Sequence, residues 1–187
     1  MNFNDHSKLL GEHAFLSASK YSWVNYDEDR LRQVYASSQA AALGTRLHEL
    51  AAEHISLGIR LPRSSATLNQ YVNDAIGYHM TPEQVLVYSL NAFGTADAIR
   101  YDEKKHFLRI HDLKTGVTRA SIKQLEIYQA LFCLEYGIRP FDISSELRLY
   151  QNDEVIIHVP EPADILQIMD KIIAFDKVIE SMKEDAR

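Results

Sequence analysis

The segment Arg109–Gly116, R-I-H-D-L-K-T-G, constrains this chain more than any other. Residues two apart on a strand share a face. Leu108, Ile110, Asp112 and Lys114 therefore form one row of two apolar side chains, an acid and a lysine. The apolar pair asks for a core on that side. The acid and the lysine continue the same row, roughly 7 Å apart along the strand. Charged groups on a buried row are costly unless something satisfies them. A divalent cation would satisfy the acid, and a phosphate the lysine. An Asp–Lys ion pair, or a strand end in solvent, accounts for the same pattern.

The flanking sequence places this row in a sheet. Phe93–Tyr101 and His106–Leu113 read as two strands joined by the polar turn Asp102-Glu103-Lys104-Lys105. Pairing them brings Asp97, in G-T-A-D-A-I, near Asp112. Gln84–Leu90 reads as a strand before them, after a break at Thr81-Pro82. Ser37–Leu57 reads as a long helix, Ala66–Tyr78 as a weaker one, and a short helix starts near Ser17. Ala120–Gly137 is a helix stopped by Gly137. Ile143–Tyr150 and Val155–Val159 form a second hairpin turned at Asn152-Asp153. Pro160-Glu161-Pro162 opens a last helix. Helices, three strands, a helix, two strands and a helix make an α/β domain with a central mixed sheet flanked by helices.

Composition narrows the class. The chain has 187 residues, 46% hydrophobic and 25% charged, as a globular domain with a real core requires. No run approaches eighteen apolar residues, so no membrane span is expected. Met1–His6 is polar and lacks the regions of a signal peptide, which sets the expectation of cytoplasmic residence. Cys133 is the single cysteine, so a four-cysteine zinc or iron–sulfur site within one chain is excluded. The net charge is −6, which argues weakly against nonspecific coating of nucleic acid. The distribution is uneven, however. Arg100–Lys123 holds seven Lys/Arg against three Asp/Glu, whereas Gln151–Arg187 holds nine acids against four bases. The basic segment can meet phosphates, although charge patches are usually ordinary solvated surface.

Other residues become informative only in combination. His48 lies one helical turn after Gly44. A glycine inside a helix costs about 1 kcal/mol, so it has a packing or access reason, such as clearing space beside the imidazole. Gln124 and Tyr128 are also one turn apart, and both can donate hydrogen bonds to a phosphate or a water. Taken singly, each reads more simply as an exposed helix histidine, a solvent glutamine or a packed tyrosine. Asp97 alone reads as a strand-edge acid. Gly94, at the start of its strand, permits another group to approach closely.

In order, the motifs are G-x-x-x-H (Gly44–His48), G-x-x-D (Gly94–Asp97), D-x-K-T-G (Asp112–Gly116) and Q-x-x-x-Y (Gln124–Tyr128). This set resembles the PD-(D/E)XK nuclease superfamily. More narrowly, it is similar to the RecB-type and phage recombination exonuclease branch, which includes the CRISPR-associated adaptation nucleases. Leu16–Lys20 with Trp23 resembles that branch's opening helix. The resemblance implies a restriction-endonuclease-like αβββαβ core. It also implies a single nuclease-like domain, with an N-terminal helical extension over 1–36, a core over 37–159 and a C-terminal helix over 160–187. Many members of the branch hold an iron–sulfur cluster on four cysteines, which this chain lacks.

The resemblance further implies a Mg²⁺- or Mn²⁺-dependent deoxyribonuclease, an exonuclease of DNA recombination, repair or phage DNA processing. Its metal ligands would be His48, Asp97, Asp112 and the backbone carbonyl of Leu113. Lys114 would orient the attacking water or stabilise the phosphorane, while Gln124 and Tyr128 position the scissile strand. Arg100, Arg109, Arg119 and Lys123 are the candidate phosphate contacts, as a patch. The partner is DNA. The resemblance leaves room for a homo-oligomer and for a recombination or adaptation protein as a further partner, with no membrane. One alternative is a non-catalytic DNA-end-binding or assembly protein on the same fold, which would have no need of Lys114 beside Asp112. A hydrolase of small phosphoesters is a weaker one, because no nucleotide-cradling glycine loop is present.

Overall fold

Five short strands pair into one mixed sheet, and helices cover its two faces. The computed structural model describes residues 4–9, 11 and 13–185. In chain order the elements are α1 (Glu28–Leu57), α2 (Thr67–Gly77), β1 (Thr81–Ser89), β2 (Ala92–Asp102) and β3 (Phe107–Leu113). They continue with α3 (Lys123–Tyr136), β4 (Ser144–Gln151), β5 (Glu154–His158) and α4 (Pro162–Asp185). Two compact units are present, Met1–Leu43 and Gly44–Arg187.

In the first unit no described residue is buried. Phe15 meets Tyr35 edge to face at 5.1 Å. Trp23 Nε1 donates to the Ser17 carbonyl at 2.9 Å. The short helix expected near Ser17 is a 3₁₀ stretch, Ala18–Asn25, kinked at Lys20. Helix α1 begins at Glu28 rather than Ser37. Asp27 accepts the Arg30 amide at 2.7 Å, a side-chain cap, and Glu28 and Asp29 complement the positive end of the helix. Capping and charge, rather than an apolar stripe, start this helix.

In the second unit the strand order is β1-β2-β3-β4-β5. Only β3 and β4 run parallel, joined through α3, and the other neighbours are antiparallel. Thr81 and Pro82 lie inside β1 and pair with Ile99 and Ala98, so no break occurs there. Proline is tolerated because β1 is an edge strand that pairs on one side only. The β4–β5 turn falls on Asn152 and Asp153, both at positive φ, as a tight hairpin demands. Asp153 then accepts the Thr67 amide at 2.8 Å and caps α2 from a distant part of the chain.

Each face of the sheet has its own core. Leu86, Ile99, Leu108, Ile110 and Leu147 pack with Leu125 and Phe132 of α3. Ala98, Leu113 and Tyr150 pack with Tyr71, Val72 and Ala75 of α2 and with Ala51 and Ile55 of α1. Strand β3 is covered on both sides, which is why Leu108 to Leu113 includes five residues with almost no exposed surface. Among the described residues no helix is long and apolar enough to cross a membrane.

Candidate active site

The β1–β2 register runs Pro82–Ala98 and Gln84–Ala96, which puts Glu83 opposite Asp97. The β2–β3 register ends at Ala98–His111, and its next step puts Asp97 opposite Asp112. Three carboxylates thus lie in one row across three strands, at neighbouring-strand spacings of roughly 5 Å. Such a row repels itself unless cations meet it.

Two groups of cationic and neutral partners do meet it. On the α1 side, His48 Nδ1 lies 3.5 Å from Asp97 Oδ2. His48, Glu83 and Asp97 each bring a ligand atom within 4.8 Å of the others, a spacing suited to one metal ion. On the α3 side, Lys114 Nζ donates to Asp112 Oδ1 at 3.1 Å and to Gln124 Oε1 at 2.9 Å. Gln124 Nε2 in turn donates to the Tyr128 hydroxyl at 2.8 Å. Asp112 Oδ2 lies 2.9 Å from Lys114 Nζ but off the hydrogen-bond direction. That contact is ionic only, and the buried oxygen retains capacity for a further cationic partner.

Backbone geometry explains how these groups meet. Asp97 Oδ2 accepts the Leu113 amide at 2.8 Å, so Leu113 enters the site through its peptide. The Gly44 position is filled from outside by Thr115: a Cβ there would stand 2.7 Å from Thr115 Oγ1. The glycine therefore lets α1 approach the loop after Lys114, rather than clearing space at the imidazole, and this approach delivers His48 to Asp97. Gly94 plays the equivalent part for Tyr128, whose Cε1 would be 2.9 Å from a Cβ at that position.

The site is electrostatically loaded. Burial, and secondly the neighbouring Asp112 carboxylate, push Asp97 up to about 6. Burial also raises Asp112, and Lys114 opposes that rise. Burial raises the Tyr128 hydroxyl as well. Neighbouring acids held away from their ordinary range are a mark of functional sites.

The expected DNA contacts do not share one face. Arg100 and Arg109 are directly opposed on β2 and β3 and point to the α2 side, away from Asp112. Arg109 donates to Glu146 at 2.8 Å and stacks over Tyr78 at 3.8 Å. Arg119 lies exposed in the loop after Lys114, and Lys123 pairs with Glu126 at the start of α3. Alternation along the strands separates the two pairs, which a count of charges along the sequence cannot see.

Glu83 is the residue that sequence reading misses. The apparent break at Thr81-Pro82 places it outside a strand, and only the register reveals it. Its φ of 50° is in the left-handed region, which costs a residue of this type about 1–3 kcal/mol. Backbone strain of this kind concentrates at functional sites.

No known protein family, curated protein or solved structure matches this chain. The functional reading therefore stands on the residues themselves.

Proposed function

We propose that this chain is a metal-dependent nuclease that hydrolyses phosphodiester bonds in DNA, acting from ends, on a restriction-endonuclease-like core of the PD-(D/E)XK superfamily. The observation that carries this reading is the convergence at one site of four segments distant in sequence: His48 from α1, Asp97 from β2, Asp112 from the end of β3 with Lys114 just past it, and Gln124 with Tyr128 from α3. An isolated ion pair between Asp112 and Lys114 needs none of the others.

The donor set suits a hard cation such as Mg²⁺ or Mn²⁺. Carboxylate oxygens and an imidazole converge at His48, Glu83 and Asp97. Asp112 offers a buried oxygen without a hydrogen bond beside them, and the Leu113 carbonyl is a further candidate ligand. When bound, the ion supplies Lewis-acid stabilisation of the charge that develops on the phosphoryl oxygens. The protein side chains divide the remaining work. Lys114 Nζ has three protons, two of them directed to Asp112 and Gln124, and the third can hold the attacking water or a phosphoryl oxygen. Gln124 and Tyr128 fix the height of Lys114 and can donate to the scissile strand. Arg119, in the adjoining loop, offers a phosphate contact.

The test is cleavage of end-labelled linear and closed circular DNA in Mg²⁺, Mn²⁺ or EDTA. Degradation of the linear form in either metal, abolished by EDTA and by Lys114→Ala, is the expected result. Equal cutting by the wild type and Lys114→Ala would sink the assignment. Retention of DNA without turnover in every metal would point to an end-binding protein.

A further inference from the structure

The loop of residues 114–122 opens with Lys114, one residue past β3, and leads to the helix that carries Gln124 and Tyr128. Residues 115–119 are exposed and form no helix or strand, so this stretch has little packing to hold it. Yet both of its ends carry groups that must stay in register with Asp112. One side chain meets the loop along most of its length. Gln151, at the end of β4, is almost fully buried. Its Nε2 donates to the Gly116 carbonyl at 2.6 Å and to the Thr118 carbonyl at 2.7 Å. Its Oε1 accepts the Ala120 amide at 3.0 Å. All three bonds go to this loop.

The neighbouring contacts act in the same sense. The Lys114 amide donates to the Tyr150 carbonyl, one residue before Gln151, at 2.9 Å. Asn152 Nδ2 reaches the Val117 carbonyl at 3.4 Å. Thr115 is met by the Gly44 position of α1. The end of β4 thus behaves as a template on which the Lys114 loop is laid.

We propose that Gln151 is the positioning residue of the site: its amide holds the 116–120 backbone and so sets Lys114 Nζ against Asp112 and Gln124. It touches neither metal nor substrate. The chemistry of the amide is specific to the task, because two carbonyls need donors and one N–H needs an acceptor, and a glutamine side chain supplies both. The functional part of this inference rests on the nuclease reading above, whereas its structural part does not.

The experiment compares wild type, Gln151→Leu and Gln151→Glu as full-length proteins. Leucine keeps the apolar bulk and loses all three bonds. Glutamate keeps the acceptor for Ala120 but sets a carboxylate against two carbonyls. The first readout is hydrogen–deuterium exchange. In Gln151→Leu the Ala120 amide, which loses its acceptor, should exchange at least tenfold faster, and the Lys114 amide should follow as the loop loosens, with β3, β4 and α3 still protected. Unchanged exchange in 114–121 of Gln151→Leu overturns the inference, whatever the activity. The second readout is cleavage of linear DNA. Both variants should lose about tenfold or more in kcat, with KM and the Mn²⁺ midpoint within about twofold of wild type. Wild-type kcat in both variants, with the loop loosened, overturns the functional role. A wild type that cuts nothing overturns the nuclease reading and the functional role that rests on it, while the exchange data still decide whether Gln151 holds the loop.

Discussion

Gly44 and Thr115 approach so closely that a Cβ on Gly44 would stand 2.7 Å from Thr115 Oγ1. The contact ties α1 to the loop after Lys114 and so couples His48 to the other half of the site. Alanine at this position gains roughly 1 kcal/mol of helix propensity, and the exposed Thr115 hydroxyl can rotate aside. Gly44→Ala is therefore expected to unfold in urea within about 1 kcal/mol of wild type. Gly44→Val has no such escape and should lose about 1–3 kcal/mol by overpacking. Equal stability of the two variants would show that the contact does not constrain α1.

Glu83 holds a left-handed backbone conformation beside His48 and Asp97. A ligand that binds the folded state at 100 times its dissociation constant stabilises it by about 2.7 kcal/mol. For a chain of this size that corresponds to roughly 5–10 °C in melting temperature. Saturating Mn²⁺ should produce a shift of this order, reduced by half or more in Glu83→Gln and in His48→Ala. A shift of full size in Glu83→Gln would remove Glu83 from the site.

The row Glu83–Asp97–Asp112 costs the metal-free protein stability, because burial and its neighbour make ionised Asp97 unfavourable. Asparagine keeps an acceptor for the Leu113 amide and removes one charge from the row. Asp97→Asn should therefore melt about 2–5 °C higher than wild type in EDTA at pH 7, while losing metal stabilisation. Scanning calorimetry with and without Mn²⁺ measures both effects. A lower melting temperature in EDTA would show that the Asp97 carboxylate is fully compensated by His48 and Leu113.

The α/β class, the five strands and the turn at Asn152-Asp153 were legible because alternation and turn chemistry act locally. Asp97 beside Asp112 was legible for the same reason, since a short turn joins their strands. The start of α1 was not, because a cap and two acids launch it before any apolar stripe appears. Glu83 was hidden by Pro82, whose meaning depends on whether its strand is an edge. Gln151 was hidden more deeply, since nothing local distinguishes a glutamine that clamps a loop some 30 residues away in sequence from one in solvent. The separation of Arg109 from Asp112 follows from alternation and could have been read from their odd spacing.

On the other face of the sheet, His111 has no exposed surface, and its Nε2 has no hydrogen-bond partner. Its Nδ1 lies 3.3 Å from the Tyr150 hydroxyl, which itself donates to Asp74. The ring is met edge-on by Tyr78, and Arg148 and Arg109 stand nearby. Burial first, and then the two guanidinium groups, hold its pKa well below the ordinary 6.5. The unfolded chain therefore takes up a proton near pH 6.5 that the folded chain refuses. The stability contributed by neutral His111 is present above that pH and is lost progressively as the pH falls below it. The slope from this one group approaches about 1.4 kcal/mol per pH unit. Urea unfolding between pH 7.5 and 5 in EDTA should show it as a difference between wild type and His111→Phe. The variant starts less stable, having lost the bond to Tyr150, but declines less steeply by up to one proton's worth of slope. Parallel curves for the two proteins would mean that His111 is protonated in the fold as readily as in the unfolded chain.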